Sequence, residues 1–546
     1  VNGKECNTEG VPADRYFGGR ARRLFPHAFL WGAVLLCYGP VLWGAESIWD
    51  DEAFLGNPLL SSWNGFLSIW WQPQLNPFEE HYWPVTYTVA FLLRQVFGAS
   101  AGTFHVANVV LHASNASLLY ELLRPRARWL ALWGALAFAC HPIQAESVAW
   151  IIEMKNVLSF FFAAISVLTF LRLERASRSL LSVGLGTGLF LFGLLSKSAV
   201  APLPVLLLLL FWAEDRWSRT RVGFLVASAL VAVAYSLLDL AVVSAKGKAV
   251  LATPLVERVG IAGLALLHYL RTMIWPQGLC AIYRKWEITP LSTAVGICGW
   301  VVLAGSLVWL LHRGRCSPRH RWLFLWLAGT VALLSPTLGL ISFSYQRQSF
   351  VADRFAYHAS AVLLPGLVAL GWDTMRRLHV DAKMRGALAG MVVIVLALLT
   401  FQRAMIFRRV ESLARDTLKK NERAWTARYY LANAMARRGD FEGALGQYSA
   451  VFWGTLEDFS QEELQKLEAS TSHQQMSEPR MSFNRGLLAA RKNQLEQALR
   501  AFDEATSNPQ LRAQATIAIA AIEARRGNLE SARQIITCLY EVPTTR

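Results

Sequence analysis

At 546 residues the chain is 54% hydrophobic and only 17% charged, with a mean hydropathy of +0.31. That balance excludes an ordinary soluble protein of this length and fits a polytopic membrane protein carrying a soluble part. The formal net charge is +16, but Lys and Arg collect in the cytoplasmic loops of membrane proteins, so the basic balance is not read as nucleic-acid binding.

The chain opens with a basic stretch, residues 1–26, in which Arg15, Arg20, Arg22 and Arg23 precede the first apolar run with no cleavage pattern behind them. It reads as an uncleaved signal anchor with a cytoplasmic N-terminus. A hydrocarbon core needs about 20 apolar residues per helical span. Windows of that kind fall at 27–46, 104–123, 129–147, 148–171, 180–198, 199–213, 222–243, 291–311, 322–342, 357–372 and 386–403, predicting about eleven transmembrane helices. Basic clusters at Arg124/Arg126/Arg128, Arg172/Arg175/Arg178, Arg216/Arg219/Arg221, Arg313/Arg315/Arg319/Arg321 and Arg376/Arg377/Lys383/Arg385 then fall on the cytoplasmic side. Residues 260–275 hold His268 and Arg271 and end in Trp-Pro, and are read as interfacial or partly embedded.

With this topology the loop 47–103 and everything after residue 407 are extracytoplasmic. The loop starts with three acids, Asp50, Asp51 and Glu52, and continues through aromatics such as Trp63, Trp70, Trp71 and Trp83 that suit an interface. A solvated loop explains three acids at a bilayer surface equally well, so their neighbours decide. Lys155, Lys197, Arg271, Arg284, Lys285, Arg347 and Arg354 break the positive-inside pattern at the same depth, beside His141, Glu146 and Asp353. Snorkelling explains any one such cation. A set of them beside acids points to a polar site, because ionisable groups there need water, each other or a substrate. Clustered guanidinium and ammonium groups suit a lipid-linked phosphate. The seven cysteines form no CxxC pair, and no ligand cluster demands a metal, although the three acids leave a divalent ion open.

Beyond residue 407 the sequence becomes Ala-rich and self-similar. Asn493 and Gly527, Ala498 and Ala532, Phe502 and Ile536, and Pro509 and Pro543 are each 34 positions apart, the length of a tetratricopeptide unit. An earlier copy reads Leu431-Ala432, Gly439-Asp-Phe441, Ala444 and Tyr448, with an insertion near 453–480. Stacked helix pairs of this kind bury a shared core and leave a concave face for extended peptide.

Several ordered stretches carry a resemblance: Asp50-Asp51-Glu52-Ala53; His81-Tyr-Trp-Pro84-Val-Thr86; Phe104-His105-Val-Ala-Asn108 with His112 and Asn115; His141-Pro-Ile-Gln-Ala-Glu146-Ser-Val-Ala-Trp150 followed by Lys155-Asn156; Leu194-Leu-Ser-Lys197; and Ala352-Asp353-Arg354-Phe355-Ala-Tyr357. Together they resemble the GT-C membrane glycosyltransferases, and within them the O-mannosyltransferase-like proteins with C-terminal tetratricopeptide repeats, in the form of their bacterial branch. The chain departs from that pattern at Trp83, where related proteins often have Arg. The resemblance implies an all-α fold in three parts: the basic N-terminus 1–26, a GT-C-like transmembrane domain 27–406 and an extracytoplasmic repeat solenoid 407–546. It implies an inner-membrane location, with the endoplasmic reticulum as alternative, and needs no cofactor. It further implies transfer of a sugar, mannose by family, from a polyprenyl-phosphate donor to a hydroxyl of a polypeptide, with inversion.

Residue chemistry agrees, since a carboxylate taking the hydroxyl proton assists such a transfer. Asp51 is the expected base, with Asp50 as the alternative base and Glu52 as support. Arg354 and Lys155, then Lys197 and Arg347, are expected on the leaving phosphate; His141 and Glu146 on acceptor or sugar; Asp353 beside Arg354. The competing class is a non-catalytic membrane-anchored assembly factor that displays the repeats. A transporter fits less well, because the polar residues cluster at span ends instead of mid-membrane.

Overall fold

The computed structural model describes residues 13–76, 79–246, 253–341, 343–459, 461–472 and 478–541. Residues 1–12 with Cys6, the side chains of Arg15, Arg20, Arg22 and Arg23, and Pro543 lie outside the described residues. Among the described residues all regular structure is helical. The chain divides into two compact units, one of residues 1–279 and 286–408, the other of 280–285 and 409–546.

The first unit begins with α1 (Ala13–Leu42), followed by the short helices α2 (Asp51–Leu55) and α3 (Trp63–Trp71), then α4 (Pro84–Phe97), α5 (Ala101–Leu123) and α6 (Arg128–Ala139). After the five-residue α7 (Ala145–Ala149) come α8 (Met154–Arg175), α9 (Ser179–Ser196), α10 (Leu203–Glu214) and α11 (Arg219–Ala245). The unit closes with α12 (Leu255–Ile274), α13 (Pro290–Gly314), α14 (Pro318–Leu334), α15 (Tyr357–Arg377) and α16 (Ala382–Phe407). Among the described residues, seven segments are long and apolar enough to cross a bilayer: Leu24–Leu42, Ile151–Arg175, Ser179–Ser196, Arg219–Ala245, Pro290–Gly314, Asp353–Arg377 and Ala382–Phe407. The other four expected windows fall on α5, α6, α10 and α14. These are helical too, but α6 and α10 have 12 residues and α14 has 17.

Helix α5 has the length and lacks the apolarity, for a physical reason. Its His105, Asn108, His112 and Asn115 are all fully buried on one face, and the last three bond backbone carbonyls of neighbouring elements. Asn108 Nδ2 donates to the carbonyl of Trp150 at 3.0 Å, Asn115 Nδ2 to that of Val157 at 2.8 Å, and the His112 ring pairs with the Ala139 carbonyl at 3.1 Å and the Tyr357 hydroxyl at 2.8 Å. The Cys140 carbonyl accepts from the Thr400 hydroxyl at 2.6 Å. Carbonyls released in an apolar interior need such partners. The break itself follows from Pro142, which has no N–H to continue α6 and disfavours a helical His141. The window expected as one span at 129–147 is therefore α6, a 3₁₀ turn and α7.

Helix α12 packs on the first half of α13, where Gly260 and Gly263 meet Thr293 and Gly296, and Gly299 meets Leu267; no side chain beyond hydrogen fits at the Gly263–Gly296 crossing. Its far end reaches the polar end of the unit, with the Tyr269 hydroxyl accepting from the Ala352 N–H at 3.1 Å.

The second unit opens with α17 (Val410–Lys420) and stacks the helix pairs α18 (Trp425–Arg437) with α19 (Phe441–Glu457), α21 (Glu478–Arg491) with α22 (Leu495–Ala505) and α23 (Arg512–Arg525) with α24 (Leu529–Glu541), α20 (Gln461–Ser472) lying between the first two pairs in the chain. Gly439, Asn493 and Gly527 all take positive φ, at 83°, 58° and 88°, where one helix of each pair hands over to the next. Ala432, Ala444, Tyr448, Ala498, Phe502, Ala532 and Ile536 are fully buried. The sequence repeat is thus a repeat of turns and of packing positions. The insertion after the first pair carries a helix of its own, α20.

Candidate active site

The polar residues gather where α1 and α9 end and α8 and α15 begin, so chain direction alone brings them to one end of the apolar helices. At the centre lies Glu153, one residue before α8 and buried. Its carboxylate meets Lys197 Nζ at 3.1 Å, Arg354 Nε at 3.3 Å and Lys155 Nζ at 3.9 Å, and accepts from Asn156 Nδ2 at 2.7 Å. Glu146, also buried, pairs with the Arg354 guanidinium and accepts from its backbone N–H at 3.3 Å. The rings of Tyr345, Phe355 and Trp150 lie 4.2, 5.0 and 5.3 Å from that guanidinium. Lys155 also faces Glu79 at 3.9 Å and lies 4.9 Å from the Trp83 ring centre. Arg354, Lys155, Lys197 and Glu146 therefore do come together, joined by Glu79 and Glu153, which the sequence reading left out.

The two neighbouring aspartates part company. Asp51 is fully buried at the start of α2, and its two carboxylate oxygens accept from the backbone N–H groups of Ile48 and Ile152, each at 2.9 Å. It ties the acid loop to the turn that carries Glu153. Asp50 is exposed, with one oxygen accepting from Trp150 Nε1 at 3.1 Å. Surrounding protein raises its carboxyl pKa, opposed by the charge of Lys155 and, more weakly, of Arg354. Burial, then the charge of Asp50, pushes the Asp51 carboxyl well above the usual range against the pull of its backbone partners.

The remaining expected residues spread out. His141 caps the 3₁₀ turn at Pro142, accepting from the Ile143 N–H at 3.2 Å while Nε2 faces the Met273 carbonyl at 3.1 Å, so both ring nitrogens are taken by backbone. Asp353 is buried, with Arg403 of α16 at 4.0 Å. Glu52 and Arg347 are exposed. Arg284 and Lys285 belong to the second unit, in the segment 280–285.

Trp83, at the position where the sequence departs from its pattern, has a second partner. The His81 imidazole stacks on its ring at 4.6 Å and bonds Asp239 at 2.9 Å. Burial disfavours the imidazolium, but the hydrogen bond and charge of Asp239 outweigh it and raise the His81 pKa. Among the described residues no group of three or more His, Cys, Asp or Glu side chains has metal-binding geometry.

Fold and site together define an all-helical membrane protein with a polar cluster at one end of its apolar helices and a C-terminal unit of stacked helix pairs. That unit contains tetratricopeptide repeats: residues 408–451 and 483–537 match the tetratricopeptide repeat family. The chain is also similar to the protein O-mannosyl-transferase TMTC1 of Homo sapiens, 31% identical over 156 residues, and to that of Mus musculus, 32% identical over the same length. The similarity covers 27% of this chain but 18% and 16% of those relatives, so the match spans less than a fifth of either. No solved structure matches the chain.

Proposed function

We propose that the membrane unit is a GT-C-like protein O-glycosyltransferase of about eleven spans, moving mannose from a polyprenyl-phosphate donor to a Ser or Thr hydroxyl on the outer face. The observation that carries this reading is the division of labour at the acid pair. Asp51 is committed to two backbone N–H groups, while Asp50 is exposed, oriented by Trp150 and within reach of the charges of Lys155 and Arg354. The names of the two mammalian relatives agree with the class of reaction.

In this reading Asp50 takes the acceptor hydroxyl proton as the oxygen bonds to the anomeric carbon. The bond from that carbon to the phosphate oxygen breaks, and the lipid phosphate leaves with the electron pair. Direct displacement inverts the anomeric configuration. Lys155 is the cation best placed for the growing phosphate charge, because its carboxylate neighbours are both at 3.9 Å, whereas Lys197 and Arg354 hold closer pairs. Glu146 and Glu153 fix the Arg354 guanidinium against its ring partners. Glu52, Arg347 and Asp353 are left without a direct role, and His141 shapes the backbone. The repeat unit binds the acceptor polypeptide or a protein partner.

A second reading rests on the ion pairs themselves. Three carboxylates, Glu79, Glu146 and Glu153, face three cations, Lys155, Lys197 and Arg354, an arrangement that also suits a structural cluster in a non-catalytic scaffold for the repeats. The purified full chain in lipid nanodiscs, given polyprenyl-phosphate [³H]mannose and a Ser/Thr-rich polypeptide, separates the two. Incorporation of label into protein supports the transferase. A folded chain that leaves every polyprenyl-phosphate sugar intact and still binds polypeptide through its repeats establishes the scaffold.

A further inference from the structure

A cavity of about 560 Å³ in the first unit is enclosed by α5, α6, α8, α10, α14 and α15. Its walls are largely apolar between the two ends, from Phe160, Val200 and His358 near the polar cluster to Leu171, Leu210 and Leu370 towards the opposite end. The size is ample for a hydrocarbon chain and lies within the range of ligand sites.

The two ends differ in charge. Towards the Glu153 cluster the ionisable lining residue is His358, whose Nε2 is engaged with Ser159 at 2.9 Å. At the far end lie Arg126, Arg319, Arg376 and Arg377 with Asp373. Asp373 alone is shared by Arg319 at 2.9 Å, Arg376 at 3.3 Å and Arg377 at 3.4 Å, while Arg126 pairs with Glu214 at 2.7 Å. The Arg376 and Arg377 side chains are 71% and 61% exposed, so this mouth reaches the surface. Trp129 stacks on Trp372 at 4.7 Å, and Arg126 lies 5.0 Å from the Trp322 ring, which frames the mouth with the aromatics favoured at headgroup depth.

We propose that this cavity is a binding site for an anionic phospholipid of the bilayer, one acyl chain lying between α8, α10 and α15 and the headgroup phosphate held by Arg319, Arg376 and Arg377. Three guanidinium groups on one carboxylate leave two positive charges at the mouth, and an apolar pocket beneath a basic rim is the form such lipid sites take. The site is at the opposite end of the helices from Asp50 and does not depend on the proposed transfer reaction.

The test is native mass spectrometry of the full chain in detergent, offered phosphatidylglycerol, phosphatidylcholine or undecaprenyl phosphate at equal concentration. The expected result is one retained phosphatidylglycerol, preferred over phosphatidylcholine by about thirtyfold, the order given by two cations at a lipid surface. Arg376→Gln with Arg377→Gln brings the two phospholipids close to parity without lowering the melting temperature. Ala369→Phe, which places a ring inside the mouth and leaves every arginine, lowers retention of both. Equal retention of the two phospholipids by wild type, or an undiminished preference in the double variant, overturns the headgroup assignment. Undecaprenyl phosphate that displaces phosphatidylglycerol assigns the cavity to another lipid and also overturns the proposal.

Discussion

Asp50 and Asp51 are chemically identical neighbours with different tasks. A pair of adjacent acids was plain in the sequence, but their order of importance was not, because the partner that occupies Asp51 is the N–H of Ile152, about a hundred positions away. Glu153 was legible only as a carboxylate two residues before Lys155 inside an apolar run; what makes it central is its approach to Lys197 and Arg354, which lie far away in the chain. Two outcomes follow at this scale. Asp51→Ala orphans the N–H groups of Ile48 and Ile152 and lowers stability by about 1–3 kcal/mol, read as a lower melting temperature in detergent. Asp50 must be deprotonated to act as a base, and its pKa is raised. The acid limb of the pH dependence of kcat/KM is therefore expected above the ordinary aspartate range, and it should disappear in Asp50→Asn. The linkage has the same sign: the folded state holds this proton more tightly than the unfolded chain. Asp50 thus favours the fold at low pH, and that contribution is lost as pH rises through the folded value.

Helices were readable where their apolar runs were unbroken, as in α11, α13 and α16, and less so where polar side chains repair broken backbone. His105, Asn108, His112 and Asn115 recur at helical spacing, so their shared face was visible in the sequence. What Asn108, His112 and Asn115 bond was not, because the carbonyls they serve come from Trp150, Ala139 and Val157 on other elements. The 34-residue repeat was legible down to its turns, since Gly and Asn are the residues that enter the left-handed region at least cost. Asn108→Leu leaves the Trp150 carbonyl unpaired beside the acid loop. It should cost about 1–3 kcal/mol and lower the melting temperature, whereas the same change at exposed Asn64 leaves it within experimental scatter.

Whole-molecule organisation was visible as a change in composition near residue 407, and the units divide at Arg408, with the short segment 280–285 joining the repeats. That segment carries Arg284 and Lys285, which the sequence placed with the membrane cations, because membership of a unit depends on long-range contact such as Asn421 Nδ2 to the Ile282 carbonyl at 3.2 Å. Topology is testable with cysteines already present. Cys316, at the Arg-rich end of α13, and Cys538, in the repeats, are both exposed. In sealed cells or inside-in vesicles a membrane-impermeant maleimide should label Cys538 from outside and Cys316 only after permeabilisation; the reverse pattern would invert the proposed orientation. In the proposed reaction Asp50 stands open to substrate while Asp51 holds the loop. The most direct test is single-turnover transfer of mannose from polyprenyl phosphate by purified Asp50→Asn, alongside wild type of matched melting temperature. The prediction is a fall of about a hundredfold or more in the transfer rate, with donor binding retained. Transfer at the wild-type rate by Asp50→Asn would contradict the account.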